Sequence, residues 1–307
     1  AGAGPCGLAA ALMLHQRGWR RIVVLERNRS ATDFDKNRGF NYLIDARGQK
    51  LLERLGIADR LGRYAVENRR NIMTVVGADG HQKTFRSPFW DPRRDRAWWS
   101  RRESFQALLA DRIAELDDNR VELRFGETFE GLRSGPDGRP EVLTRSVDGD
   151  QGAALSADFL LGCDGLGSAV RDAMAAHASL PPSAFEQVKY PSPSSVLRYK
   201  VLQMPAAVPI TGDHPPAADH RMAYAFLSRD LGPRGTLALV AYPVPGGEEP
   251  RTVNIIRLPD HRIWEQETPD ALLAFLEDAF PQLPIRTLLS TGEAADFVTT
   301  PPPQFPS

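Results

Sequence analysis

The spacing of apolar and polar residues predicts alternating helices and strands in the first part of the chain. A glycine-rich turn enters a helix over residues 2–17, and Gly18 fits the position at which that helix stops. The continuous apolar run Ile22–Leu25 predicts a strand that is buried on both faces. A polar loop over residues 28–41 and a helix over 46–55 follow. This alternation is typical of an α/β fold.

The middle of the chain predicts a hairpin, a helix and a strand meander. Residues 71–76 and 82–85 flank Asp79-Gly80, a hairpin signature, and residues 104–116 place their large apolar side chains on one helical face. Further strands are predicted at 121–129, 141–147 and 153–155, and a short buried strand at Phe159–Leu161.

The last third is rich in proline between residues 181 and 219 and then returns to a regular pattern. A helix is predicted over 268–280, capped by Thr268, with Pro269 at its first position and Pro281 after its end. Strands are predicted at 195–202, 223–227, 236–242 and 251–258.

Composition narrows the classes of protein that fit. The 307 residues carry 38 Lys and Arg against 39 Asp and Glu, so there is no basic excess of the kind that nucleic-acid binders show. Two cysteines exclude a disulfide framework and a four-cysteine zinc site, and the six scattered histidines have no metal-ligand spacing. No apolar run approaches the ~20 residues that span a membrane. We therefore expect no membrane segment in this chain and a cytoplasmic location.

The strongest motif is Gly2-x-Gly4-x-x-Gly7, which opens a helix and is followed by a strand with Glu26 at its end. This context is the dinucleotide fingerprint: Gly2 permits the turn, Gly4 lets a pyrophosphate approach the backbone, and Gly7 lets helix and strand pack closely. Glu26 would accept hydrogen bonds from an adenosine ribose with a free 2′-hydroxyl, as in FAD or NAD. Cys6, inside the turn, is expected to be a small buried residue.

A second motif, Gly162-Cys163-Asp164-Gly165, is followed by a helix that starts near Ser168. Together the two motifs resemble those of FAD-dependent aromatic monooxygenases with the p-hydroxybenzoate hydroxylase fold. Arg101-Arg102-Glu103-Ser104-Phe105 is similar to the Arg-x-x-Leu segment of that family, whose arginine contacts the flavin, and Arg102 matches that arginine.

The resemblance implies an α/β (α+β) fold with two domains. A Rossmann-like FAD-binding domain with a β-meander would comprise residues 1–66 and 97–180. A smaller mixed-sheet substrate domain would comprise 67–96 and 181–290, with 291–307 returning towards the FAD domain. The strand that should precede Gly2 and the family's Gly-Asp motif are not in the sequence, so a fragment of a longer protein is expected.

The resemblance also implies the chemistry. NADPH would reduce FAD, oxygen would add to the reduced flavin, and a flavin hydroperoxide would hydroxylate a small aromatic substrate. Because the cofactor carries this chemistry, no catalytic side chain is assigned. The cofactor-binding residues implied are Gly2, Gly4, Pro5, Gly7, Glu26, Arg27, Arg38, Leu43, Arg102, Phe129, Asp164 and Gly165.

Within the family, residues 37–56 resemble a stretch of the kynurenine 3-monooxygenase subgroup, although Phe40 and Tyr42 stand where that subgroup has Ile and Leu. The subgroup clamps the carboxylate of its substrate with an arginine, and Arg70 matches that arginine. The forked guanidinium group of an arginine can bond to both carboxylate oxygens. An aromatic partner is expected at Phe85 or Phe89, and neither has the tyrosine hydroxyl usual there. Phe85 is taken as the second substrate-binding residue, and the resemblance implies kynurenine or a similar aromatic acid as the substrate.

Two kinds of alternative stay open. One is another FAD enzyme of the same fold, such as a phenol-type hydroxylase, a halogenase or a geranylgeranyl-reductase-like enzyme; the lysine and Trp-x-Trp-x-Ile-Pro signature of a halogenase is absent. The other is a truncated, inactive nucleotide-binding fragment. Bound flavin would separate the two kinds.

Overall fold

A computed structural model describes residues 1–31, 33, 39–69, 72–86, 96–177, 181–188, 190, 192–210, 218–232 and 235–304. The chain divides into two compact units. The first comprises Ala1–Phe34, Arg54–Ile57 and Glu103–Lys189, and the second comprises Asp35–Glu53, Ala58–Arg102 and Tyr190–Ser307.

The helices and strands of the described residues are numbered in chain order. They are α1 (Pro5–Gln16), β1 (Ile22–Glu26), β2 (Asn41–Ile44), α2 (Ala46–Leu55), β3 (Val66–Arg69), β4 (Ile72–Val76), β5 (Gln82–Arg86), β6 (Arg96–Arg101), α3 (Arg102–Ala114), β7 (Val121–Phe125), β8 (Glu127–Ser134), β9 (Pro140–Ser146), β10 (Leu155–Ser156), α4 (Ala169–His177), β11 (Arg198–Met204), β12 (Ala223–Leu227), β13 (Ala238–Ala241), β14 (Arg251–Arg257), α5 (Pro269–Ala279), α6 (Ile285–Leu288) and α7 (Thr291–Thr299).

The first unit begins with the predicted turn, helix and strand. Helix α1 starts at Pro5, whose fixed φ suits the first helical position, and it ends before Gly18, which has a φ of +82°. Strand β1 pairs in parallel with β7, from Ile22 opposite Val121 to Glu26 opposite Phe125. The predicted helix–strand order is confirmed.

The predicted strand over residues 121–129 is wrong, because the chain breaks there into two strands. Gly126 has a φ of +71°, a conformation that glycine adopts without the strain of a Cβ. Residues before it form β7 beside β1, and residues after it form β8, which belongs to the antiparallel meander β8–β9–β10. The pattern of apolar residues over 121–129 did not reveal that the chain changes from one sheet to another at Gly126.

The predicted buried strand at Phe159–Leu161 is also wrong. These residues have no regular secondary structure, and the side chains of Phe159 and Leu161 are 72% and 47% exposed. The Phe159 ring lies 5.3 Å from that of Trp19, beside a cavity of about 600 Å³ that both line. An apolar segment is buried on both faces only where other elements cover it, and this segment lies at an open edge.

The second unit is built on a mixed six-stranded sheet in the order β11–β14–β13–β12–β4–β5. Strand β12 runs parallel to β4, and the other pairs are antiparallel. One face of the sheet packs against α5, α6 and α7. Its core includes Leu202, Phe226, Leu239, Val253, Ile255, Leu276, Phe280 and Phe297.

A second sheet of this unit, β2–β6–β3, was not predicted, because no strand was assigned to the residues of β2 and β6. Strand β6 carries two tryptophans between arginines, and its burial does not alternate from residue to residue, so it lacks the two-residue pattern of a half-buried strand. Helix α7 was also missed, although Ser290 and Glu293 have the spacing of a helix cap: the Ser290 side chain accepts the backbone N–H of Glu293. The predicted helix over 268–280 is confirmed, with the Thr268 hydroxyl accepting from Ala271.

Candidate functional site

The turn between Gly2 and Gly7 is held in a shape that only glycine allows. Gly2 has a φ of +94°, and a Cβ there would lie 2.4 Å from the carbonyl oxygen of Cys163. A Cβ on Gly7 would lie 1.9 Å from the Gly2 carbonyl oxygen. The two glycines therefore bring the start of α1 directly against residue 163 of the second motif.

Gly4 has a different role, because no atom of the described residues lies within 4 Å of the position of its Cβ. It is the N-cap residue of α1, and no side chain in the described part of the chain accepts a hydrogen bond from the first turn of that helix. Unpaired N–H groups and the positive end of the helix dipole form a site for an anion. A pyrophosphate fits this arrangement, since it could approach the backbone at Gly4 without meeting a side chain.

The Glu26 carboxylate is fixed next to this turn. Its Oε2 accepts the backbone N–H of Ala3 at 2.8 Å, and its Oε1 accepts the N–H of Asn28 at 2.9 Å. Each carboxylate oxygen has a second lone pair. The group is therefore oriented by the backbone and keeps the capacity to accept hydrogen bonds from a ribose.

The Asp164 loop lies beside the same turn. The backbone N–H of Cys163 donates to the Ala1 carbonyl at 2.8 Å, and the N–H of Gly2 donates to the Leu25 carbonyl at 2.8 Å. The structure thus joins the first motif to both the end of β1 and the second motif, residues that are far apart in sequence.

Asp164 organises its own loop. Burial opposes ionisation of its carboxyl, but hydrogen bonds from the Ser168 hydroxyl at 2.6 Å and from the Val170 N–H at 3.1 Å outweigh burial, so its pKa is lowered. Ser168 also accepts the N–H of Arg171 at the start of α4. Gly165 has a φ of +89° and open space around it. The Asp-Gly pair therefore turns the chain into α4 and leaves backbone exposed.

Sequence reasoning missed Gln106 of α3, whose side-chain amide donates to the Ala3 carbonyl at 3.0 Å. This bond steadies the middle of the glycine turn. Its only signal in the sequence is a polar residue beside the apolar face of a predicted helix. Cys6 departs from its expectation, because it is exposed rather than buried.

The other predicted cofactor-binding residues are placed as follows. Arg27 is exposed directly after β1. Leu43, paired with Trp99, and Arg102, exposed at the start of α3, belong to the second unit. Phe129 packs in a core with Leu25, Val142 and Val170.

The predicted substrate-binding residues are less informative. Phe85 lies on β5 opposite Met73, and its side chain lies outside the described residues. Arg70 and the predicted cofactor-binding residue Arg38 lie outside the described residues altogether.

Within the described part of the chain, no three His, Cys, Asp or Glu residues are grouped to hold a metal ion. No helix in that part is long and apolar enough to cross a membrane.

These features together are typical of a dinucleotide-binding domain. They are the glycine turn before α1, the oriented carboxylate of Glu26 at the end of β1, and the adjoining Asp164-Gly165 loop. Residues 1–188 match the FAD binding domain family, and the chain belongs to this family.

The chain is also similar to two curated oxygenases over a little more than half of its length. The chain is 32% identical over 175 residues to a 3-(3-hydroxy-phenyl)propionate/3-hydroxycinnamic acid hydroxylase of Paraburkholderia xenovorans. This alignment covers 55% of this chain and 26% of the relative. It is 33% identical over 172 residues to a 12-dehydrotetracycline 5-monooxygenase/anhydrotetracycline 6-monooxygenase of Streptomyces rimosus, which covers 56% of this chain and 31% of that protein. The match thus spans about a third or less of each relative.

Solved structures share the fold along most of the chain. PqsL, a probable FAD-dependent monooxygenase from Pseudomonas aeruginosa, aligns with a TM-score of 0.56 at 17% identity over 99% of this chain and 71% of its own. The p-nitrophenol 4-monooxygenase PnpA from Pseudomonas putida aligns with a TM-score of 0.60 at 17% identity, over 94% of this chain and 62% of its own. The α/β fold of FAD-dependent monooxygenases is therefore confirmed for both units.

Proposed function

We propose that the chain binds FAD through its first unit and serves NADPH-dependent hydroxylation of a small aromatic substrate by oxygen. The observation that carries the proposal is the open N terminus of α1 at Gly4, next to the oriented carboxylate of Glu26. In this proposal Gly4 and Pro5 receive the pyrophosphate and Glu26 the adenosine ribose. Bound FAD would supply the redox chemistry.

The remaining assignments are part of the same proposal. The other cofactor-binding residues would be Arg27, Arg38, Leu43, Arg102, Phe129, Asp164 and Gly165. The domain boundaries inferred from the sequence, 1–66 with 97–180 and 67–96 with 181–290, belong to it as well. The task of the protein is to hold the aromatic ring near the flavin and to exclude water from the reacting atoms.

For the substrate we favour a phenol-type aromatic compound. The relative from Paraburkholderia xenovorans is named for a hydroxyphenyl acid, and the chain has phenylalanine at position 85, where the kynurenine subgroup has a tyrosine. Kynurenine, clamped by Arg70, is the second candidate, supported by the resemblance of residues 37–56.

The test compares the two candidates on the full reading frame that contains this chain. NADPH consumption is measured with FAD in the presence of 3-(3-hydroxyphenyl)propionate, L-kynurenine or neither, and the products are identified by mass. Consumption stimulated by the phenol, with a product heavier by one oxygen atom, supports the proposal. Flavin binding with stimulation by kynurenine alone overturns the substrate preference, and absence of flavin binding overturns the proposal itself.

A further inference from the structure

The two cysteines of the chain lie next to each other in the first unit. Cys6 is the second residue of α1, and Cys163 precedes Asp164 in the second motif. A Cβ on Gly7, the residue after Cys6, would lie 3.3 Å from the Cβ of Cys163, and the two thiol groups are hydrogen-bond neighbours. The fold therefore brings together the only two thiols in the sequence, although they are far apart along the chain.

The backbone holds Cys163 against the start of α1. The N–H of Cys163 donates to the Ala1 carbonyl at 2.8 Å, and a Cβ on Gly2 would lie 2.4 Å from the Cys163 carbonyl oxygen. A disulfide needs Cβ atoms that are about 3.5–4.5 Å apart. Because α1 passes Cys163 near this separation at Gly7, we expect a disulfide to form by rotation of the two side chains rather than by movement of the backbone.

The two sulfur atoms differ in their access to solvent. Cys6 is exposed, whereas Cys163 is partly buried. Burial and the hydrogen bond with the Cys6 thiol raise the pKa of the Cys163 thiol. Cysteines that sense oxidants are accessible to solvent and lie beside a second cysteine that resolves the oxidised form. Cys6 has the position of the first cysteine in such a pair, and Cys163 has that of the second.

We propose that Cys6 and Cys163 form a modification site at which hydrogen peroxide converts the two thiols reversibly into a disulfide. The sulfur of Cys6 attacks one peroxide oxygen, the O–O bond breaks, and one water leaves as Cys6 becomes a sulfenic acid. The sulfur of Cys163 then displaces the hydroxyl of that sulfenic acid and gives up its proton, so the S–S bond forms and a second water leaves. The peroxide gains the two electrons that the thiols lose. An external dithiol reverses the reaction by exchange.

The proposed modification site overlaps the turn that is proposed to bind the pyrophosphate. Cys6 directly follows Gly4 and Pro5, so a pyrophosphate at the first turn of α1 would cover the Cys6 sulfur. Oxidation should therefore be slower when FAD is bound, an expectation that rests on the proposed function. Disulfide formation in the chain without FAD does not depend on it.

The test is oxidation of the purified, fully reduced chain by hydrogen peroxide. We expect both thiols to disappear from a colorimetric thiol titration, while the protein still migrates as a single chain in a non-reducing gel. The intact mass should fall by about 2 Da, the mass of the two hydrogens that are lost. A proteolytic digest should contain a Cys6 peptide joined to a Cys163 peptide, and dithiothreitol should restore both thiols.

Serine variants separate the roles of the two cysteines. Cys163→Ser keeps the exposed thiol without its partner, so peroxide should produce a sulfenic acid that dimedone traps and no disulfide within the chain. Cys6→Ser keeps only the partly buried thiol, which should react with peroxide at least about tenfold more slowly than the thiol of Cys163→Ser. Circular dichroism identifies a variant that does not fold, and alanine then replaces serine.

A second measurement tests whether the fold holds the thiols together. In glutathione buffers, the equilibrium constant for the disulfide should be at least about tenfold larger in the folded chain than in the chain unfolded by guanidinium chloride. Equal constants in the folded and unfolded chains would overturn the inference, because the fold would then contribute nothing to the pairing.

The results separate this inference from the proposed function. A disulfide within one chain that requires both cysteines supports the inference, even if FAD does not bind. A folded chain that keeps both thiols, joins only different chains, or is oxidised at Cys6 without closing to Cys163 overturns it, even if FAD binds normally. With FAD bound, as flavin fluorescence shows, oxidation should be at least about tenfold slower. An unchanged rate with bound FAD would overturn the placement of the pyrophosphate beside Cys6 and not the disulfide.

Discussion

The backbone N–H of Ala3 donates a hydrogen bond of 2.8 Å to Oε2 of Glu26, so the middle of the glycine turn is tied to the end of β1. This bond fixes the carboxylate relative to the N terminus of α1. Pyrophosphate and ribose are joined covalently in a dinucleotide, so their two sites must keep a constant separation. In the proposed FAD complex, the Ala3–Glu26 bond would supply that constraint.

Replacing Glu26 tests this constraint. In Glu26→Gln one side-chain oxygen becomes an amide that faces a backbone N–H, either that of Ala3 or that of Asn28. That backbone N–H then loses its acceptor, so the side chain is no longer held in the position proposed to bind the ribose. We expect FAD affinity to fall about tenfold. Flavin fluorescence titration measures the change, and Glu53→Gln, at an exposed position on α2, should leave the affinity unchanged. Equal affinity of the Glu26 and Glu53 variants would contradict the role of Glu26.

Alanine substitutions at Gly7 and Gly4 separate two roles of the turn, packing within the protein and access of the ligand to the backbone. Gly7→Ala places a Cβ 1.9 Å from a backbone oxygen, so the chain should lose about 3 kcal/mol of unfolding free energy or fail to fold. Gly4→Ala meets no protein atom and should cost less than about 1 kcal/mol.

FAD binding should respond much more strongly than stability in the Gly4 variant. Because a methyl group at Gly4 stands where the pyrophosphate approaches, FAD affinity should fall at least about tenfold while the melting temperature stays near that of the wild type. Thermal unfolding and flavin titration on the same samples measure both. A Gly4→Ala variant with unchanged FAD affinity would show that the phosphates bind elsewhere.

Ser168 connects the acid of the second motif to α4. Ser168→Ala removes the hydroxyl that donates to Asp164 and accepts from Arg171, and should cost about 1–2 kcal/mol. Because the folded pKa of Asp164 is lowered, its ionised form stabilises the fold above the unfolded pKa near 3.8, and this contribution is lost as pH falls through the folded pKa.

The pH dependence of the unfolding free energy tests the contribution of Ser168. The difference in unfolding free energy between the wild type and Ser168→Ala should shrink as the pH is lowered below about 4. Urea titrations at several pH values measure it, and Ser156→Ala, at an exposed position on β10, is the control. A difference that is constant down to low pH would show that Ser168 acts only as a helix cap.

Lys200 carries a charge into the core of the second unit. Burial lowers its pKa to about 8 from 10.5; its Nζ donates to the Phe297 carbonyl and lies 4.3 Å from the Phe297 ring. Because the folded pKa is the lower one, the unfolded chain binds more protons between pH 8 and 10.5, and stability rises with pH in that window.

A comparison with Lys200→Met isolates this effect. The unfolding free energy of the wild type should rise relative to that of the variant by up to about 3 kcal/mol between pH 8 and 10.5. Denaturant titrations across this range measure the difference, and other titrating groups cancel because both chains share them. A difference that does not change with pH would mean that the Lys200 ammonium is solvated.

The sequence predicted the elements that stand next to strong local signals. The α1 turn, β1, α2 and α5 are bounded by glycine, proline or a threonine cap, and the structure confirms each of them. The carboxylate of Glu26 could be placed at the end of β1 from its spacing to the turn. Such features depend on residues that are close together in sequence.

The features that the sequence did not reveal depend on contacts between distant residues. The chain leaves one sheet and enters another at Gly126, and β6 is a strand because β2 and β3 pair with its two edges. Phe159 lies in an apolar run typical of a buried strand, but its side chain is largely exposed. Gln106 reaches Ala3 only because α3 packs near the turn. None of these pairings leaves a local pattern that could be read in advance.

The central claim is that the turn at Gly4 and the carboxylate of Glu26 together bind FAD. The most direct measurement is a titration of the purified chain with FAD, monitored by flavin fluorescence, with NADPH added afterwards as a competitor. We expect saturable binding of one FAD per chain that an excess of NADPH does not displace. A folded chain that binds no FAD, or that releases it to NADPH, would show that Gly4 and Glu26 do not form an FAD site.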